Sequence, residues 1–561
     1  MSAVAHAASP PEGSDDPVVS EQDRVHSAAR APVSAPVWVD HSASFRLRTE
    51  FLLGGDLGNG SGSVPAPLAN TAVNGDVPDS DQLAWTSIRF RYETKIHVGE
   101  PWAIHLGFDA LDNLILGSTH RNAGGTFDEG LWRDAQGSPT TGINSFGDAL
   151  EVRYAYATWR LLEFLDLRAG RMPEQYALGV WRQAGLCPDC DFGTYVDGVQ
   201  AGLDLLGFRV EVGWEASATG ATTELPGVPG QPMNIGLSDD VTTWTIRFGR
   251  NGLTAGADPN SSLSPEEQGA WIFDWSIHAS ITDQTSDTTA QDLTEVGADC
   301  PALYEGSTGL VALPYSCWRA IPRNASIYRP GAWLRAKWHP DPISSLRIEF
   351  EFSTLIGDIG NTQRDGTLKD TDKDLRGFGA ALEFEYGWDR LKTGLDFGFA
   401  TGDDGDFLGV LDGQNVTIPD DALYLDDTSA SVRDNKTITS FWFHRDYHVD
   451  LILFRQVIGT VTNAVYIRPW VSYELLETDS LRFGARFDFL YAAAANPQGT
   501  PGDGAHWGVE MDASTWLDLP HGFGLSLHAG LLVPLDALDD RLTGESPNPV
   551  FAFRGLMSWR Y

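Results

Sequence analysis

Residues 88–98 read Ile88-Arg89-Phe90-Arg91-Tyr92-Glu93-Thr94-Lys95-Ile96-His97-Val98. Apolar, aromatic or threonine side chains occupy every second position, and ionisable ones fill the positions between. A β-strand sends successive side chains to opposite faces, so this stretch has one apolar face and one charged face. The period is two, and no helical spacing fits it.

The same pattern recurs on both sides of this stretch. Phe45, Leu47, Thr49 and Phe51 oppose Arg46, Arg48 and Glu50. Leu346, Ile348, Phe350 and Phe352 oppose Arg347, Glu349 and Glu351. Leu481, Phe483, Ala485, Phe487, Phe489 and Tyr491 oppose Arg482, Arg486 and Asp488, and Trp271 to Ile281 turn an apolar face away from Asp274 and His278. A soluble sandwich alternates too, but its strands average about five or six residues, and these runs are roughly twice as long. Aromatic residues gather near the ends of the runs, as they do at the two interfaces of a membrane barrel. The expected fold is therefore all-β, a transmembrane antiparallel β-barrel.

Strand starts fall near residues 43, 84, 101, 148, 163, 195, 207, 240, 270, 331, 344, 375, 391, 463, 480, 504, 522 and 549, which gives eighteen strands. Tight turns alternate with long segments, including 54–82, 113–147, 172–194, 283–330 and 402–462. Short periplasmic turns and long external loops are the bacterial rule, and an even count returns both termini to the periplasm. Residues 43–561 are assigned to the barrel, and residues 1–40, rich in Ser, Pro, Ala and acid, to a disordered periplasmic leader. Ala5-His6-Ala7 reads either as the tail of a signal-peptide cleavage site or as a chance alanine cluster. Counting 441–456 as a strand would make the number odd. Val449 to Val457 is read instead as a short helix within the 402–462 excursion, which folds into the lumen as a constriction or packs over the mouth as a lid.

Bulk composition agrees with a barrel. The chain has 561 residues with 59 Gly and 19 Trp, and a mean hydropathy of -0.21. No run approaches the roughly eighteen apolar residues of a membrane helix, a test that barrels escape. The net charge of -38 excludes nucleic acid as a default partner. There is no Gly-x-Ser-x-Gly, no phosphate loop and no recognisable pair of catalytic carboxylates, so no enzyme is expected and no cofactor is required.

Several side chains could carry chemistry. Cys187, Cys190, Cys300 and Cys317 allow three pairings, and an even, loop-placed set suits disulfides in an oxidising compartment. A lone Cys-x-x-Cys also fits metal or redox chemistry. Asp370, Asp372 and Asp374 mimic the start of a calcium loop, but Leu375 stands where the loop needs Gly and no Glu follows at the twelfth position. Asp403, Asp404 and Asp406 form a second acidic cluster, so Ca2+ at an external loop is weighed against a solvated acidic surface. His444 and His448, with Asp446 between them, could share a metal on a helix, though no third ligand follows.

The inward faces supply the pore-lining candidates. Arg46, Arg48, Arg89, Arg91, Lys95, Arg153, Arg482 and Arg486 are interleaved with Glu50, Glu93, Glu151, Glu349, Glu351 and Asp488. Either these charges brace the barrel as salt-bridge ladders, or a basic stripe attracts an anionic polymer while the acids keep binding weak.

The C-terminal Phe551 to Tyr561, with aromatics at alternate positions and a terminal Tyr, resembles the signal read by the outer-membrane insertion machinery. That machinery and outer-membrane lipid are the expected partners, together with periplasmic or envelope-complex proteins. It also reads as the native end of the chain.

The stretch Leu167-Arg168-Ala169-Gly170-Arg171-Met172-Pro173, with Tyr176, Gly179, the Cys187-to-Asp191 loop, Asp197 and the Asp450-to-Pro469 stretch, resembles alginate-export-type outer-membrane porins. It is most similar to the related barrels of myxobacteria. The resemblance implies an eighteen-stranded barrel and, for the alginate-export branch, a pore for an anionic polysaccharide. Met172-Pro173 stands where that branch commonly has Gln. The expected function is a channel for polysaccharide export or for small solutes, with a non-conducting scaffold of an envelope complex, such as a motility machine, as the alternative.

Overall fold

The computed structural model describes residues 36–55, 82–116, 150–218, 222–223, 233–234, 240–255, 264, 268–290, 318–361, 372–403, 437–478, 480–539 and 546–561. The alternating runs become strands β1 (Val37–Leu53), β2 (Gln82–Val98), β3 (Trp102–Ile115), β4 (Leu150–Leu162), β5 (Leu165–Pro173) and β6 (Tyr195–Leu205). They continue as β7 (Phe208–Ala218), β8 (Val241–Ala255), β9 (Trp271–Ala290), β10 (Trp318–Asp341), β11 (Ser344–Ile359) and β12 (Lys373–Trp388). The last six are β13 (Leu391–Ala400), β14 (Ala464–Thr478), β15 (Leu481–Ala494), β16 (His506–Asp518), β17 (Phe523–Pro534) and β18 (Val550–Arg560).

Each strand pairs antiparallel with its sequence neighbours, and β1 closes the ring on β18 from Ser44↔Arg560 to Leu53↔Phe551. The result is a closed barrel of eighteen strands. Closure satisfies the backbone without leaving a sheet edge, which a hydrocarbon surround demands. The two faces differ as the alternation requires. On β2, Phe90 points outward and is 42% exposed, while its neighbour Arg89 points into the lumen and is 3% exposed. Ile104, Val199, Ile277, Phe350 and Phe487 continue the apolar outer surface.

Four expectations need correction. β1 begins at Val37, so 37–40 is strand rather than leader. β9 runs to Ala290 and β10 starts at Trp318, which shortens the expected 283–330 loop to 291–317. Val449 to Val457 holds only one helical turn, Leu453–Val457. The N–H groups of its second and third residues, Phe454 and Arg455, are taken by the Asp450 carboxylate, and Gly459 in the left-handed region (φ 92°) follows it. His444 and His448 lie outside that turn, so no helix brings them onto one face.

The connections alternate as read, short at the end that carries both termini and long at the other, with 256–270 as the longest link on the short-turn side. The apolar core sits inside the ring at the long-loop end. There Phe441, Phe443, Ile452, Leu453, Phe454 and Val457 pack against Leu52, Tyr466, Leu490, Trp507 and Leu532 of the wall. Burying each such large side chain contributes about 1.5–3 kcal/mol. The excursion therefore folds into the lumen. Glycine makes room for it: a Cβ at Gly379 of β12 would lie 2.3 Å from the Phe441 ring.

Candidate functional site

Two connections turn into the lumen, 174–194 between β5 and β6 and 440–463 between β13 and β14. Backbone buried without a ladder needs other hydrogen-bond partners, and carboxylates supply them. Glu351 of β11 accepts the N–H groups of Gly179, Val180 and Trp181 at 3.0, 3.3 and 3.4 Å. Glu510 of β16 accepts those of Leu451, Ile452 and Leu453 at 2.9, 2.7 and 2.8 Å. Asp446 joins the two segments to each other, accepting from Asp191, Phe192 and Gly193 at 2.9, 3.0 and 2.8 Å.

The tip of the first segment is a four-residue ring closed by a Cys187–Cys190 disulfide. Guanidinium groups surround it. Arg46 donates to Pro188 O at 3.2 Å and to Asp191 at 2.8 Å, and Arg48 reaches Asp191 at 2.6 Å and Asp189 at 3.2 Å. Both arginines also donate to Asn113. Arg89 donates to Cys190 O at 2.6 Å and to Pro188 O at 3.0 Å. Arg91 holds Gly185 O at 2.7 Å and shares Asp109 with Arg153. Arg554 of β18 and Arg455 of the second segment meet the Asp189 carboxylate at 3.0 and 2.8 Å. Arg554 also pairs with Glu50 at 2.5 Å.

Burial alone would raise the Asp189 carboxyl, but Arg455, Arg554 and Arg48 outweigh it and hold it well below the usual carboxylate range. Asp191 is depressed in the same way, with Arg48 and Arg46 overcoming its burial. Burial, reinforced by Arg455, pushes the His448 imidazole down to about 3, so it is neutral beside Asp446. Burial lowers His444 as well, and its Nδ1 accepts the Asp446 N–H at 3.1 Å.

The remaining lumen follows β3 to β12. Arg168 pairs with Glu211 at 3.0 Å, Arg209 with Asp166 at 2.9 Å, and Arg182 forks onto Glu215 at 2.8 Å. His278 meets the Tyr176 ring edge-on and stacks on Trp181, at centroid distances of 3.8 and 4.7 Å. A cavity of about 750 Å³ opens at the short-turn end, lined by Lys95, His97, His105, Arg160, Arg168 and Arg209 among others. A cavity of about 360 Å³ lies at the long-loop end beside Glu151, Arg153, Arg171, Arg182, Asp197 and Glu215.

The sequence-derived lumen candidates are distributed unevenly over this frame. Arg46, Arg48, Glu50, Arg89, Arg91 and Arg153 converge beneath the disulfide tip, where they are covered. Lys95 and Glu151 line the two cavities, and Glu93 accepts the Tyr154 hydroxyl at 3.1 Å. Glu349 takes Trp333 Nε1 at 2.8 Å and Arg347 at 2.7 Å, while Glu351 caps the first segment. Arg486 pairs with Asp488 at 2.6 Å over the Trp470 ring, and Arg482 pairs with Glu474 at 2.5 Å among exposed groups. Asp372 and Asp374 are described, and Asp374 pairs with Arg376 at 3.0 Å. Asp370, Asp404, Asp406, Cys300 and Cys317 lie outside the described residues. Among the described residues no three metal-ligating side chains converge.

Sequence reasoning missed Asp189, Asp191, Arg455 and Arg554 as parts of one network, and Glu510 as the carboxylate that holds the second segment. Only the Cys-Pro-Asp-Cys-Asp spelling marked the tip.

No family model and no curated protein matches this chain, so the resemblance to alginate-export-type porins has no support at that level. Solved structures of similar fold include OccAB4 of Acinetobacter baumannii, with 9% identity, 93% of this chain and 98% of that chain covered, and a TM-score of 0.41. Others are OccK11 (OpdR) of Pseudomonas aeruginosa, with 10% identity, 93% and 96% coverage and a TM-score of 0.44, and the outer membrane protein opdK of the same organism, with 10% identity, 93% and 99% coverage and a TM-score of 0.44.

Proposed function

We propose that this barrel is a constricted channel of the bacterial outer membrane that passes small polar solutes, with both termini in the periplasm. The carrying observation is a charged lumen with a cavity at each end, narrowed by two segments pinned through buried carboxylates. An apolar outer surface on a closed antiparallel barrel suits lipid, and short turns on the side of the termini suit the bacterial orientation. An eighteen-stranded ring is wide enough for water, and the inward segments reduce that width. This favours small solutes over a polysaccharide chain, which would need both segments displaced.

Planar-bilayer recording and liposome swelling test the reading together. Discrete conductance steps, with swelling that falls off as neutral sugars grow from mono- to trisaccharide, are expected. Absence of steps from protein shown to be folded overturns it.

A further inference from the structure

A third cavity, of about 220 Å³, ends at the disulfide tip. Its lining includes Cys187 together with Arg46, Arg89, Arg91, Glu93, Arg560 and Tyr561. Arg560 and Tyr561 close β18 at the short-turn end, so the cavity is approached from the side of the termini. Cys187 is partly exposed, whereas Cys190 is 0% exposed. Four arginines against one carboxylate thus line a cavity that ends beside the more exposed half of a disulfide, with Arg46, Arg89 and Arg91 largely buried and hydrogen-bonded and Arg560 exposed.

We propose that Cys187–Cys190 is a thiol–disulfide exchange site for a small anionic thiol arriving from the short-turn side, and that reduction releases the constriction. The effect on permeation rests on the channel reading above. The thiolate is the reactive species in such exchange, and arginines concentrate anions in a confined cavity. The external thiolate attacks Cys187 Sγ and forms a mixed disulfide, and Cys190 departs as a thiolate that takes a proton from water. A second thiolate attacks the external sulfur and frees Cys187, which is protonated in turn. Two electrons reach the protein, and two external thiols leave as one disulfide.

The ring is what aims the tip. It directs the Pro188 and Cys190 carbonyls to Arg89, while Asp189 reaches Arg455 and Arg554, Asp191 reaches Arg46, and Arg48 bridges the two carboxylates. Opening the ring restores backbone freedom to residues 187–190, and ordering each such residue costs roughly 1–2 kcal/mol. The clamp then holds a looser target, and the segment leaves the lumen more often.

The test uses the full chain in bilayers and liposomes, with 2-sulfanylethanesulfonate as the anionic thiol and cysteamine as the cationic one. Alkylation and peptide mass spectrometry follow Cys187 and Cys190 directly. At matched thiolate concentration the anionic reagent should reduce the pair about tenfold faster, and only from the short-turn side. Arg560→Glu should remove most of that preference, and conductance should rise as reduction proceeds. The Cys187→Ser/Cys190→Ser variant should conduct at the reduced level and ignore both reagents. Equal rates for the two thiols, faster reaction from the long-loop side, or complete reduction without a change in conductance would each overturn the proposal. An intact protein that never conducts counts against the channel reading, while the labelling rates still judge the exchange site.

Discussion

Arg554 and Asp189 stand 365 residues apart in the chain and 3.0 Å apart in the barrel. The contact ties the closing strand to the disulfide tip, and the same guanidinium holds Glu50 of the first strand at 2.5 Å. One side chain therefore supports both the seam of the ring and the segment inside it.

Arg554→Ala should unseat the tip and weaken the barrel seam together. Removing one partner of a largely buried ion pair costs about 2–4 kcal/mol, because the other charge is left behind. The expected outcome is raised conductance and a lower unfolding temperature, whereas Asp189→Ala should raise conductance and leave the unfolding temperature nearly unchanged. Identical effects of the two substitutions would show that the seam gains nothing from Arg554.

Asp446→Ala should loosen the first segment without touching the wall. Three charge-assisted hydrogen bonds vanish, and a loss of about 2–3 kcal/mol would raise local amide exchange roughly 30- to 150-fold. Hydrogen exchange at Asp191, Phe192 and Gly193 reads this directly. Unchanged protection there would mean that the carboxylate does not hold the segment.

Acid should weaken the part of the seating that rests on His448. His448 has a folded pKa of about 3, below its released value, so the released segment binds more protons in between. Its contribution to seating is complete above about pH 6.5 and falls as pH drops toward 3. Asp189 and Asp191, held below the usual range, contribute fully above about pH 4 and lose that support only as pH falls through their depressed values. Acidification should therefore weaken the seating that rests on His448, while Asp446 and Asp450, whose carboxyls burial pushes up, act with the opposite sign. Read as conductance against pH, His448→Gln should move the onset of that weakening downward, with His444 leaving a smaller remainder of the same sign. The same profile in wild type and His448→Gln would remove His448 from the account.

Gly379→Val should expel Phe441. The new Cβ would stand 2.3 Å from that ring, and overpacking of this kind costs about 1–3 kcal/mol. Protease cleavage within 440–463 should appear while the barrel keeps its heat-modifiable mobility on gels. Resistance equal to wild type would mean that the segment does not depend on that close approach.

The wall was legible because period-two alternation is local: Ile88 to Val98 announces its two faces with no knowledge of any neighbour. The first half of β10, before residue 331, was not, because Pro322 and Pro330 interrupt the pattern and proline reads as a strand breaker. The strand nevertheless continues through both, with Asn324 taking a positive φ of 43° beside a register shift in the β9–β10 ladder. The contents of the lumen were the least legible part. A carboxylate that accepts three backbone N–H groups leaves no mark on its partners, since Gly179, Val180 and Trp181 contribute only their main chain to Glu351. Inward alternation identified Arg46, Arg48, Arg89 and Arg91 as lumen charges, but not that a distant loop would fold over them. Arg554 shares the last strand with one other charge, Arg560, six residues on, so alternation offers no charged stripe there.

The most direct test of the account is single-channel conductance of the intact protein against a variant in which residues 441–461 are replaced by a short Gly-Ser linker, both checked for folding by heat-modifiable mobility. Small, steady steps are expected from the intact protein and severalfold larger ones from the variant. Equal conductance in the two would contradict it, because the segment would then not narrow the path.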